Sequence, residues 1–210
     1  MFPLKEDFDA TSLDSLEPVF NELLSRDLKS VGDLEAFFSD ISDMAEHVSE
    51  AGARLYIGMT CDTENELKQT NFLNFVENIR PRMSEVSNKL DLKILNLDFL
   101  DRLSDRYTLI LRSMRNSIEI FREENIPLSV ECTKLSTEYQ KIIGAMTVKF
   151  EGMEYTLPQM RRFLESNDRE TRRLAWASVR ERRMKDSSRI SEILDEPVSY
   201  THLRAHETRG

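Results

Sequence analysis

Between positions 34 and 55 the apolar residues Leu34, Phe37, Phe38, Ile41, Met44, Ala45, Val48, Ala51 and Leu55 recur every three or four positions. Ser, Asp and Glu fill the gaps. That period makes one stripe of a helix apolar for about six turns, so the segment must be a long amphipathic helix that hides its stripe against another element. Gly52 is its only interruption. The same period precedes it at Leu13, Leu16, Val19, Phe20, Leu23 and Leu24, with Pro18 as the one objection. It follows at Leu67, Phe72, Phe75, Val76, Ile79, Met83, Val86 and Leu90, where Pro81 marks a kink or a break. The intervening MTCDTEN, residues 59–65, reads as a turn in which Asp62 or Thr63 caps the next helix. After a linker at 92–98, Phe99, Leu100, Leu103, Tyr107, Ile110, Leu111, Met114, Ile118 and Phe121 predict one more helix.

Asn125, Ile126 and Pro127 stop that series, because the residue before a proline is pushed away from helical geometry. Another helix is expected over 129–144. The period then shortens to two in TVKFEGMEYTL, where Val148 and Phe150 alternate with Lys149 and Glu151, and Tyr155 and Leu157 resume beyond Gly152. This predicts a hairpin turning at Glu151 and Gly152. Pro158 suits the first position of a short helix ending near Ser166 and Asn167. Asp168 caps the next, whose apolar face is read from Leu174, Trp176, Ala177, Met184 and Ile190. The expected fold is mostly α: long antiparallel helices packed as a bundle, with one small β-hairpin near 147–157.

The chain offers little from which to build a reactive centre. It has three histidines, and His202 and His206 stand four apart in the closing THLRAHETRG, as the ligands of an HExxH zinc site do. Leu203 takes the glutamate's place between them, and the pair His206–Glu207 has no second histidine after it. His47 lies on the polar edge of the long helix. Cys61 and Cys132 are far apart and belong to no CxxC or Cys/His cluster. The acid pairs Glu123/Glu124 and Asp195/Glu196 read as solvated helix surface. No phosphate loop, dinucleotide fingerprint or nucleophile elbow is present.

Net charge is −9, which argues against general affinity for nucleic acid or anionic lipid. The charge is uneven: residues 1–50 carry thirteen acids and three bases, residues 161–189 ten bases and five acids. Arg169, Arg172, Arg173, Arg180 and Arg183 lie around Trp176, but Glu170, Glu181 and Asp186 interrupt them. The segment therefore reads as a solvated helix, or one paired with the acidic N-terminal helices, rather than a nucleic-acid face. No run is long and apolar enough to span a membrane, and MFPLKEDFDA lacks a signal-peptide core, so a cytoplasmic protein is expected.

One stretch is more specific. FREENIPL at 121–128, KLSTEYQKIIGAMTV at 134–148 and FEGMEYTLPQ at 150–159 follow one another within residues 115–183. In order and spacing they resemble the N-terminal region of the oligoendopeptidase F family of thimet-type zinc metallopeptidases. AGARLYIGMTCDTEN and NFLNFVENIRP upstream are similar to it too, which extends the likeness over roughly residues 30–195. The resemblance implies a helical wall of a channel in which the intact enzyme hydrolyses short peptides with a zinc-activated water. It also implies that the HExxH ligands lie in a downstream half that packs on this one.

No catalytic or metal residue is thereby assigned to any position here, and neither zinc binding nor peptide cleavage is expected of these 210 residues alone. A helical protein–protein interaction module without enzyme activity is the alternative. The expected organisation is a long-helix part at 1–125, an oligoendopeptidase-type helix and hairpin part at 126–196, and a tail at 197–210. That tail breaks the helical period at Pro197 and resembles translated sequencing adapter. Oligopeptide substrates and the downstream half are the implied partners.

Overall fold

The computed structural model describes residues 8–207, with side chains described as far as residue 200. Helix α1 spans Leu13–Ser25 and buries Leu16, Val19, Phe20 and Leu23. Pro18 lies inside it. An interior proline costs about 3 kcal/mol, whereas each fully buried Leu or Phe contributes about 2 kcal/mol. Three such residues, Leu16, Phe20 and Leu23, with Val19 beside them on the same stripe, therefore outweigh the lost hydrogen bond.

Helix α2, Val31–Cys61, starts where the Ser30 side chain accepts the Asp33 amide, and it runs unbroken past Gly52. Gly52 does not interrupt it for a packing reason. A Cβ there would lie 2.8 Å from Cε1 of Phe75, so the glycine lets the ring lie against the helix backbone.

The next cap differs from expectation. Asn65, not Asp62 or Thr63, caps α3 (Glu66–Asn74) by accepting the Lys68 amide. Asp62 instead closes α2 and receives Asn65 Nδ2 and Lys68 Nζ. Helix α3 passes through a π turn at Phe75–Ile79 into α4, Arg80–Leu95. Pro81 sits in the first turn of α4. It has no N–H to offer the carbonyl four residues back, and widening the preceding turn accommodates its ring without ending the helix. The predicted helix from Phe99 begins later. Residues 99–107 form two 3₁₀ turns, Leu100–Arg102 and Asp105–Tyr107, and α5 covers Thr108–Ile120.

The chain divides into two compact units, Met1–Val130 and Glu131–Gly210. In the first, the stripes of α1, α2 and α4 meet in one core through Leu16, Phe20, Phe37, Met44, Val86 and Ile94, joined by Phe99 and Leu111. Lys93 reaches across from α4 to the carbonyls of Leu23 and Leu24 at 3.0 Å each, and to that of Arg26. Its ammonium thus caps the orphan carbonyls at the end of α1. Burial and the Arg26 guanidinium lower its pKa. Arg26 meanwhile bridges Glu22 and the buried Asp40.

Helix α6, Asn125–Gly144, crosses the boundary between the units. Asn125, Ile126 and Pro127 form its first turn, where a proline is tolerated because the amide it lacks would have no partner there. In the second unit, strands β1 (Thr147–Phe150) and β2 (Met153–Thr156) pair antiparallel, Val148 opposite Tyr155. Glu151 and Gly152 turn the hairpin at positive φ, 50° and 79°. Thr156 and Gln159 form a capping box at the start of α7, Leu157–Leu164.

Asp168 accepts the amides of Glu170 and Thr171 and opens α8, Arg169–Lys185. Its buried face is not the one read from the sequence. Ala175 packs with Met160, Val148, Phe150 and Tyr155, joined by Val179, while Trp176 and Met184 are largely exposed. The small residue wins because strand and helix approach closely there. A break at Asp186 separates α8 from α9, Ser187–Glu207, which continues through Pro197 where the sequence had suggested an end.

Candidate functional site

The first unit holds a groove of about 700 Å³ between α2, α4 and α5, within the range typical of small-ligand sites. Helix α4 contributes Arg80, Met83, Ser84, Ser87, Asn88 and Asp91. These fall at i, i+3, i+4, i+7, i+8 and i+11, one continuous face. Helix α2 supplies Val48, Ser49, Gly52, Ala53 and Tyr56 opposite. Ser117 of α5, Phe121 just beyond it, and Phe75 of the π turn complete the lining.

Two charges mark the ends of the α4 face. Asp91 is half-buried, and burial alone raises its pKa. Among the described residues it has neither an ion-pair nor a hydrogen-bond partner. Arg80 is exposed, with its guanidinium 5.8 Å from the Phe72 ring centroid and no carboxylate partner among the described residues. Arg82, on another face of α4, is fully engaged: it donates to Glu17 at 2.5 and 2.9 Å and to Glu85 at 3.1 Å.

The lining has hydroxyls but no histidine, cysteine or second carboxylate to activate them. Its chemistry is that of binding: a carboxylate accepting from a cation, a guanidinium donating to an anion, and serine hydroxyls and an amide between them. Periodicity could not have found this site, because Ser84, Ser87 and Asn88 read as an ordinary polar helix face. The one available signal was the run of small polar residues between opposite charges spaced eleven apart.

The residues singled out from the sequence do not converge. His47 is exposed, contacts the Asp43 carbonyl at 2.7 Å through Nδ1, and meets the Phe8 ring edge-on. Cys61 is exposed and Cys132 half-buried, both as free thiols. Glu123, Glu124, Asp195 and Glu196 are exposed. The side chains of His202, His206 and Glu207 lie outside the described ones. Among the described residues no three His, Cys, Asp or Glu side chains come together as metal ligands, so the described residues do not fit a zinc ion.

The basic segment finds its partners close by, within the second unit. Arg161 pairs with Glu165, Arg173 with Glu170, Arg182 with Asp186, and Arg189 with Glu138 and Glu192. Arg172 donates to the carbonyls of Ser166 and Asn167, while Arg180 lies 5.5 Å from the Trp176 ring centroid.

The sequence profile of the peptidase M3 N-terminal domain matches residues 5–121, more than half of the chain. The chain belongs to that family. In this M3 N-terminal domain the matched span takes in α1 to α5 and the whole groove, upstream of most of the 115–183 stretch that carried the resemblance. Among curated proteins, none matches it.

Solved structures do. A protein described as an oligoendopeptidase F superposes with a TM-score of 0.86 at 21% identity, covering 97% of this chain and 36% of its own. PZ peptidase A in complex with an inhibitor gives 0.86 at 20%, over 97% and 37%. An oligoendopeptidase F from Bacillus anthracis gives 0.87 at 18%, over 98% and 38%. At such identities the likeness is one of fold. The chain spans little more than a third of the length of these proteins. No helix among the described residues is long and apolar enough to cross a membrane.

Proposed function

We propose that this chain is the non-catalytic N-terminal part of a zinc metalloendopeptidase that, when intact, hydrolyses short peptides inside a helical channel. The observation that carries the reading is the M3 N-terminal profile over residues 5–121, joined to a fold shared with oligoendopeptidases nearly three times as long. Zinc, its ligands and the catalytic base belong, in this reading, to the length that those proteins have and this chain does not span. The role of these 210 residues is then to shape and close one side of the peptide's path.

Exposed apolar side chains support a partner surface for the rest of the enzyme. Leu109 and Ile120 are 67% and 66% exposed and stand eleven residues apart on one face of α5. A cytoplasmic location is part of the same proposal, in keeping with two free cysteines. So is the reading of residues 197–210 as foreign sequence.

The decisive test is the reading frame past Glu196. A long continuation encoding HExxH is expected, whereas a stop near Gly210 overturns the peptidase reading and leaves the helical interaction module. The 210-residue chain, mixed with zinc and a quenched fluorogenic peptide, should release no fluorescence. Zinc-dependent turnover by the chain alone would contradict the assignment of catalysis to the remaining length.

A further inference from the structure

The groove in the first unit combines features that a purely structural crevice has no reason to keep. A half-buried carboxylate without a partner is unfavourable, because it gives up hydration and gains nothing in exchange. Asp91 is in that position, while Arg82 and Arg26 nearby on the same unit each hold two carboxylates. Arg80, at the other end of the same α4 face, likewise holds none among the described residues. Eleven residues at 1.5 Å each put the two positions about 16 Å apart along the helix. The space between them is open, about 700 Å³, and is lined by small hydroxyls and by the apolar faces of Val48, Phe75 and Met83.

We infer that this groove binds a short linear peptide by both ends, with the amino-terminal ammonium at Asp91 and the carboxylate at Arg80. The span sets the length: an extended chain advances about 3.3 Å per residue, so about five residues reach from one charge to the other. The serine and asparagine side chains along α4 meet the peptide's amides, and the apolar residues of α2 and the π turn receive its side chains. An ammonium at Asp91 makes a charge-assisted hydrogen bond in partly desolvated surroundings, where such bonds are stronger than in water. The choice of a peptide over another zwitterion rests on the peptidase reading above; the two charged ends rest on the groove itself.

The test uses the whole 210-residue chain and an alanine–leucine pentapeptide with free ends, followed by calorimetry and by amide shifts of α2 and α4. Saturable binding is expected. Acetylating the peptide's amino end should weaken it by about tenfold or more, and the same capping should make no difference in Asp91→Asn. Amidating the carboxyl end should weaken it in the wild type and not in Arg80→Gln. Circular dichroism of both variants establishes that they are folded, since neither position contributes to the apolar core.

Capped and free peptides binding alike overturns the inference, as does unaltered binding by Asp91→Asn. Hexylamine binding as tightly as the pentapeptide overturns the two-ended assignment, and so does an absence of saturation up to about 10 mM peptide. Binding by the isolated chain is independent of the frame beyond Glu196. This proposal can therefore fail while the peptidase reading stands, and the reverse.

Discussion

Single side chains decide how the first unit responds to pH. Glu17 accepts two hydrogen bonds from Arg82, and chiefly through these its pKa lies below the ordinary glutamate value. A carboxyl whose pKa is depressed on folding stabilises the native state above its unfolded pKa, and the contribution fades as pH falls through the lower folded value. Glu17→Gln should therefore cost about 1 kcal/mol near neutral pH, the scale of a partly exposed but networked pair. The gap from wild type should begin to narrow below about pH 4.3, where the unfolded glutamate protonates, and close only once pH falls below the lower folded value. Urea titrations of both proteins across pH 3 to 7 measure it, and a gap that stays constant across that range would contradict the assignment. Asp91 has the opposite sign. Its raised pKa means that the unfolded chain ionises more readily, so its contribution weakens stability as pH climbs.

At the scale of elements, the contact of α2 with the π turn is the tightest constraint. Gly52 leaves room for the Phe75 ring, which is buried and also lines the groove. Gly52→Ala raises intrinsic helix propensity by about 1 kcal/mol, but places a methyl 2.8 Å from a ring carbon, so the ring or the helix must move. Overpacking of that kind costs about 1–3 kcal/mol. The substitution should thus lower the melting temperature despite its better propensity, and perturb the amide signals around Phe75. A melting temperature that rises would show that the ring yields freely. The sequence predicts a kink or break at Pro81, since its missing amide has to be accommodated. The structure accommodates it instead with a widened turn that keeps α3 and α4 continuous, and Phe75, Val76 and Ile79 of that turn are all buried.

For the molecule as a whole, the surface is as telling as the core. Leu109 and Ile120 on α5, and Trp176 and Met184 on α8, are each more than half exposed. Large exposed apolar side chains mark contact surfaces or promote association. The chain alone should therefore self-associate at micromolar concentration, and Leu109→Lys with Ile120→Lys should shift it toward monomer in sedimentation without lowering its helix content. A wild-type chain that sediments as a single sharp monomer would remove this argument for a missing partner. The mostly helical fold, the hairpin at Glu151 and Gly152, and the helix starts at Pro158 and Asp168 were all legible beforehand, because each rests on local chemistry.

Sequence alone determined where apolar stripes repeat, and hence that long helices had to pack together and that a hairpin turned at a glycine. It also carried the peptidase resemblance, through consecutive blocks in register. Tertiary structure decided what no period encodes. It buried Ala175 and exposed Trp176, continued α9 through Pro197, and gave the cap of α3 to Asn65. It also left Asp91 half-buried beside an open groove while satisfying Arg82. The reason is that burial and charge compensation are properties of neighbours distant in the chain, and a residue's own position along a helix does not fix which of them will face it.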